Sequence, residues 1–126
     1  MSTIKDRNLA TIGQQEVDWA ARQMKVLEEI KTEFSSSRPL NGLNIGACMH
    51  VTKETANLML TLKAAGANVA LCASNPLSTK DSVAAYLSEN DIEVHAVHGV
   101  SNDDFFKHLN SVLDTKPDIT CLLYTS

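Results

Sequence analysis

The stretch NIGACMHVTKETANLMLT, residues 44–61, decides how the rest of the chain is read. An apolar run over 43–49 ends on His50, Thr52 and Glu54 follow at once, and an amphipathic run begins. This order predicts a buried strand, a tight turn and a helix. In open parallel sheets, ligands bind at the carboxyl ends of strands, facing helix N-termini. His50, Thr52 and Glu54 would sit there with three different polar groups. A plainer assignment is also open: Thr52 as a helix cap, Glu54 as a favourable charge at the positive end of the helix, His50 as a packed histidine. From the pattern alone the plainer assignment is favoured, because caps are commoner than active sites.

Outward from this stretch the same alternation repeats. On the C-terminal side, Gly66 stops the helix as a C′ residue. A second apolar strand spans 69–72, and the turn signal Asn75-Pro76 leads into STKD. Ser78 three residues before Asp81 reads as a capping box for a helix over 79–89. A third strand covers 92–97, closed by Gly99. Ser101 and Asp104 form a second capping box, opening a helix through Phe105, Leu109, Val112 and Leu113. Pro117 precedes a last apolar run over 119–124. On the N-terminal side, residues 1–13 read as an extended lead. Val17, Ala20, Ala21, Met24, Leu27, Ile30 and Phe34 then recur at steps of three and four, predicting one long helix from Gln14 to the serines at 35–37. Trp19 is placed at the edge of that apolar stripe.

Strands alternating with helices of ten to fifteen residues mean a parallel sheet with right-handed crossovers. The predicted fold is α/β: a three-layer, Rossmann-like parallel sheet of about four strands in the order 3-2-1-4, with an extra N-terminal helix outside it. The connection reverses beside the first strand, so a crevice is expected next to His50.

Composition narrows the function classes. The chain has 126 residues, 44% hydrophobic and only 5% aromatic, so its core is aliphatic. A net charge of −4 argues against a nucleic-acid partner, which selects for a basic face. No run approaches the roughly 20 apolar residues of a membrane helix. The opening MSTIKDRNLA has no apolar core of a secretion signal. Three cysteines, Cys48, Cys72 and Cys121, form no CxxC and no even framework, which suits a reducing cytoplasm. Cys48 and Cys72 lie in apolar runs and read as small buried hydrophobes.

Local catalytic motifs are sparse. The five glycines never fall into GxGxxG, and no Walker loop or GxSxG elbow occurs. His95 and His98 are placed on opposite faces of a strand and His108 on an exposed helix face, which leaves no metal-ligand set. Ser78 could face the crevice, but its pattern favours a cap.

Two segments carry a specific likeness. ACMHVTKETANLMLTL contains H-x-T-x-E-T-A, and ASNPLSTKDSVAAYL resembles N-P-L-S-T-Q-D-[DE]-V-A-A-A-L. With RPLNGLNIGACMH, LKAAGANVALCASN and VDWAARQM, in one order from about Lys5 to Thr120, the chain resembles the N-terminal part of the S-adenosylhomocysteine hydrolase (adenosylhomocysteinase) family. That resemblance implies reversible hydrolysis of S-adenosyl-L-homocysteine to adenosine and L-homocysteine. It implies a bound NAD that oxidises the ribose 3′-hydroxyl transiently, and a homo-oligomer for the full-length enzyme. By the same resemblance His50 matches a proton-transfer residue near C5′. Thr52 and Glu54 match residues that hold the nucleoside, chiefly its adenine, and Ser78 matches a serine of the second substrate-lining loop. With it, the functional reading of His50, Thr52 and Glu54 displaces the capping one.

Two departures qualify the resemblance. Lys80 stands where the family has glutamine. Paired aspartates and a glycine are expected after PDIT, where CLLYTS stands instead. Residues 1–120 are therefore expected to be a substrate-domain portion and 121–126 a tail foreign to the family. The NAD domain lies outside this chain, which is expected to be inactive alone. The rival reading is a non-catalytic small-molecule-binding or interaction domain, in which His50 is structural.

Overall fold

The computed structural model describes residues 2–122. Its centre is a four-stranded, all-parallel sheet in the predicted order. The strands are β1 (Asn44–Cys48), β2 (Asn68–Cys72), β3 (Glu93–His95) and β4 (Ile119–Leu122), ordered β3-β2-β1-β4. β3 is shorter than the run over 92–97 that sequence pattern suggests. Of the predicted last run, 119–124, residues 123 and 124 lie outside the described residues.

The N-terminal region departs from expectation in two ways. Residues 1–13 are not merely a lead. Thr3 forms a parallel bridge with His95, with Thr3 N donating to Val94 O at 2.8 Å and Ala96 N to Thr3 O at 3.0 Å. A 3-10 turn, Arg7–Leu9, follows; the Asp6 side chain accepts from Asn8 N and caps it. The long amphipathic run is two helices, α1 (Ala10–Ala21) and α2 (Lys25–Ser37), broken at Met24, whose φ of −115° and ψ of 58° leave the helical region. The apolar stripe stays in phase across the break, so periodicity alone cannot reveal it. Packing makes it: α1 lies against α4 (Asp81–Glu89) and α3 (Lys53–Ala64), whereas α2 lies against α3.

Gly13 shows how close α1 comes to α4. A Cβ there would overlap the Ser82 carbonyl and reach Tyr86 Cβ at 3.0 Å. Asn57, buried on α3, donates from Nδ2 to Val17 O at 3.1 Å and to Lys53 O at 2.9 Å, tying α1 to α3. Trp19, at the stripe's edge, leaves half of its surface uncovered. It is 54% exposed, and the Lys53 ammonium lies 5.7 Å from its ring centre.

The two faces of the sheet are unequal. Ile45, Ala47, Val69 and Leu71 point into the main core with Val17, Met59 and Val83. Ala70 and Cys72 point the other way, under α5 (Asn102–Leu113), with Val112 and partly buried Cys48 and Leu109. Gly46 belongs to this second face, where a Cβ would meet Pro117 and Val112 at 3.1 Å. Pattern arguments place the histidines differently from the coordinates. His108 is buried, 8% exposed, with its ring centre 6.4 Å from that of His95. His95 is buried between Thr3 Oγ1, 3.1 Å from Nδ1, and Glu93 Oε2, 3.0 Å from Nε2. His98 lies beyond the end of β3, in a loop.

Candidate active site

A parallel strand ends where its ladder ends, and the chain must then turn. The three turns after β1, β2 and β3 are not independent here. Val51 N donates to Ser78 O at 2.8 Å, and Lys80 N donates to Val51 O at 2.9 Å, an isolated parallel bridge beyond the named strands. Met49 N donates to Cys72 O at 3.1 Å. The third turn joins through Gly99 N to Pro76 O at 2.8 Å and His98 N to Asp81 Oδ1 at 3.0 Å. These bonds hold three loops side by side over the carboxyl ends of the strands.

A cavity of about 230 Å3 opens between them. Its walls include His50, Thr52, Ser78, Thr79 and His98. Two of its groups are unusual. His50 Nε2 and Thr79 Oγ1 are both buried and have no hydrogen-bond partner among the described residues. Thr79 as a whole is 6% exposed. Leaving a buried polar atom unpaired costs about 1–3 kcal/mol, and such atoms mark strain or a site for something else. The residues that carry both atoms line one cavity.

Thr52 occupies the N-cap position of α3 with extended backbone, but its hydroxyl makes no capping bond. It reaches Thr55 Oγ1 at 3.5 Å. The capping role therefore does not consume it. Ser78 is not the capping residue of α4 that its sequence position suggests. Lys80 is at the N-cap, and Ser78 Oγ accepts from Asn75 N at 3.2 Å and donates to Asn75 O at 3.0 Å. The Asn-Pro turn holds Ser78 at the cavity wall, and the turn wins because its partners are nearer than the helix start. The second predicted cap is present: Ser101 Oγ accepts from Asp104 N at 3.2 Å.

Glu54 does not share the His50 cavity. It lines a neighbouring groove of about 740 Å3 between α2 and α3, with Thr55 and the apolar Leu27, Ile30, Met49 and Leu58. Its carboxylate is 3.5 Å from the Lys53 ammonium and half exposed. Met49 and His50 are adjacent in the chain and serve the two hollows separately. Lys80 pairs with Glu16 on α1 at 3.4 Å.

Of the residues singled out from the sequence, His50, Thr52 and Ser78 line this cavity; Thr79 and His98 line it as well, and Met49 lines the groove, though sequence pattern did not place them there. Thr79 adjoins Ser78, and His98 follows a strand. The rule that ligands gather beyond strand ends covers both, once β3 is known to stop at His95. Among the described residues no group of three histidine, cysteine, aspartate or glutamate side chains could hold a metal ion. No helix among them is long and apolar enough to cross a membrane.

The parallel sheet ordered β3-β2-β1-β4 and the hollow beyond its strand ends define a Rossmann-like α/β domain with a small-molecule-sized site. Comparison with known proteins identifies the family. The S-adenosyl-L-homocysteine hydrolase profile matches residues 1–122. The chain is 49% identical over 117 residues to the adenosylhomocysteinase of Aquifex aeolicus, covering 92% of this chain and 28% of the relative. It is 48% identical to that of Thermosynechococcus vestitus, with 92% and 27% covered, and 46% identical to that of Sulfolobus acidocaldarius, with 92% and 28% covered. This chain belongs to the S-adenosyl-L-homocysteine hydrolase family, and it spans little more than a quarter of the length of these curated relatives.

Proposed function

We propose that this chain is the N-terminal substrate-domain portion of an adenosylhomocysteinase, supplying the nucleoside-facing side of a site that reversibly hydrolyses S-adenosyl-L-homocysteine to adenosine and L-homocysteine. The observation that carries this reading is the unpartnered, buried Nε2 of His50 at a cavity wall. An imidazole there can give a proton to a leaving sulfur and then take one from the attacking water. The uncapped Thr52 hydroxyl can both donate and accept toward the nucleoside. The groove beside it is apolar with one carboxylate, Glu54, which suits a purine ring whose exocyclic amine donates to that carboxylate. Ser78 is engaged by Asn75, so its part is to shape the wall of the cavity.

The family's NAD finds no fit in this chain. The turn between β1 and α3 contains no glycine. Gly46 lies inside β1 against Pro117 and Val112, so no backbone is bared to cradle a pyrophosphate. NAD chemistry in the whole enzyme would be held by residues outside this chain. Homo-oligomerisation and a cytoplasmic place in one-carbon metabolism belong to the same proposal, since both follow from the family rather than from these residues.

The test is adenosine titration followed by amide chemical shifts. Shifts are expected to centre on Met49, His50, Thr52, Glu54 and Thr79. Thr52→Ala is expected to weaken binding by roughly tenfold, the worth of about one hydrogen bond. Saturating adenosine that moves none of these amides would refute the reading.

A further inference from the structure

The mechanism proposed above leaves one cluster of nucleophilic groups unused. Cys48 and Cys72 end β1 and β2, and they are register partners on adjacent parallel strands. Such neighbours lie about 4.8 Å apart, within the roughly 4.4–6.8 Å between Cα atoms that a disulfide spans. Partners in register project from the same face. Here both side chains lie under α5, against Val112 and Leu109.

The two thiols are inequivalent. Cys72 is fully buried and Cys48 is partly exposed. We propose that Cys48 and Cys72 form a redox-active dithiol, with Cys48 attacking a peroxide and Cys72 closing the disulfide. The neighbouring Cys72 thiol favours the Cys48 thiolate and, against the opposing effect of burial, brings its pKa down to about 7, while the Cys48 thiol lies 3.6 Å from Ala73 O. The neighbouring Cys48 and its own burial push the Cys72 thiol up. One sulfur is thus poised as the nucleophile at neutral pH, and the other keeps its proton until needed.

The steps balance with the peroxide as the sole oxidant. The Cys48 thiolate attacks one peroxide oxygen, the O–O bond breaks, and Cys48 becomes a sulfenic acid with loss of hydroxide. The Cys72 sulfur then attacks the Cys48 sulfur, the S–O bond breaks, and the departing hydroxide takes the Cys72 proton and leaves as water. Two electrons pass from the sulfur pair to the peroxide. Cys121 cannot substitute. It is in register with Ala47, so it projects to the opposite face of the sheet, where its sulfur lies 3.7 Å from Met49 Sδ. Oxidation would join the strand ends two residues before His50, whichever ligand the cavity takes.

The experiment is peroxide treatment of the chain, alkylation of remaining thiols under denaturing conditions, and peptide mass analysis. The expected product is a Cys48–Cys72 disulfide with Cys121 alkylated. In Cys72→Ser, dimedone should trap a sulfenic acid on Cys48, and Cys121→Ser should still form the disulfide. Before oxidation, Cys48 should react with a thiol reagent at neutral pH roughly fivefold to tenfold faster than an ordinary thiol. A disulfide that includes Cys121, or three thiols that stay alkylatable after peroxide has oxidised a methionine of the same chain, would overturn the proposal. So would a Cys48 that reacts no faster than Cys121.

Discussion

Gly13 does at the residue scale what no neighbour in its helix could do. Glycine inside a helix costs about 1 kcal/mol relative to alanine, so its presence needs a reason. The reason is the Ser82 carbonyl, which leaves no room for a methyl group. Gly13→Ala should therefore destabilise the chain despite the better helix propensity, by about 1–3 kcal/mol as α1 is forced off α4. Urea unfolding of the variant measures this, and a gain in stability would mean that the two helices separate freely. Thr52 and Ser78 carry a second lesson at this scale. Both match capping patterns, yet neither makes the capping bond. A local motif states which bond is possible; Asn75 beside Ser78 and Thr55 beside Thr52 compete for the same hydroxyls.

At the scale of elements, α5 is the helix that covers the second face of the sheet, and its packing should be pH-sensitive. Burial first, and then the neighbouring His95, hold the His108 pKa below the ordinary 6.5, while Asp104 pulls weakly the other way. The unfolded chain then binds the His108 proton more readily than the folded one. The stability this group contributes is complete above 6.5 and falls as the pH drops below that value toward the lowered folded one. Denaturation midpoints measured downward from neutrality should decline over this range, and His108→Leu should flatten the decline. A midpoint that rises instead would show that His108 gains a charge partner on folding. The break between α1 and α2 belongs to this scale as well. The hydrophobic stripe runs through it unbroken, and only the different partners of the two helices, α4 and α3 for one and α3 for the other, require a bend at Met24.

For the whole molecule, the family assignment and the length of the chain combine into one expectation. The chain spans little more than a quarter of its curated relatives and holds no glycine-rich phosphate turn after β1. Added NAD should therefore not confer turnover of S-adenosyl-L-homocysteine on it. Adenosine release assayed with NAD present checks this, and sustained release would require a hydride acceptor site within these 126 residues.

Sequence by itself determined the architecture. Strand and helix lengths, the glycine stop at Gly66 and the period switches over 44–113 led to a parallel sheet ordered 3-2-1-4, which the coordinates have. This was legible because strands buried on both faces show as short apolar runs and helices as a period of 3.6, and both survive in the order of residues. His50 and Thr52 were legible for a related reason, since they stand immediately beyond a recognisable strand. Tertiary structure alone decided how the loops meet. The Val51–Thr79 bridge sets Thr79 beside the His50 loop, the packing of α5 on the sheet brings His108 against His95, and Glu54 is left in a separate groove. Those outcomes depend on hydrogen bonds between residues distant in the chain, and no local period records them.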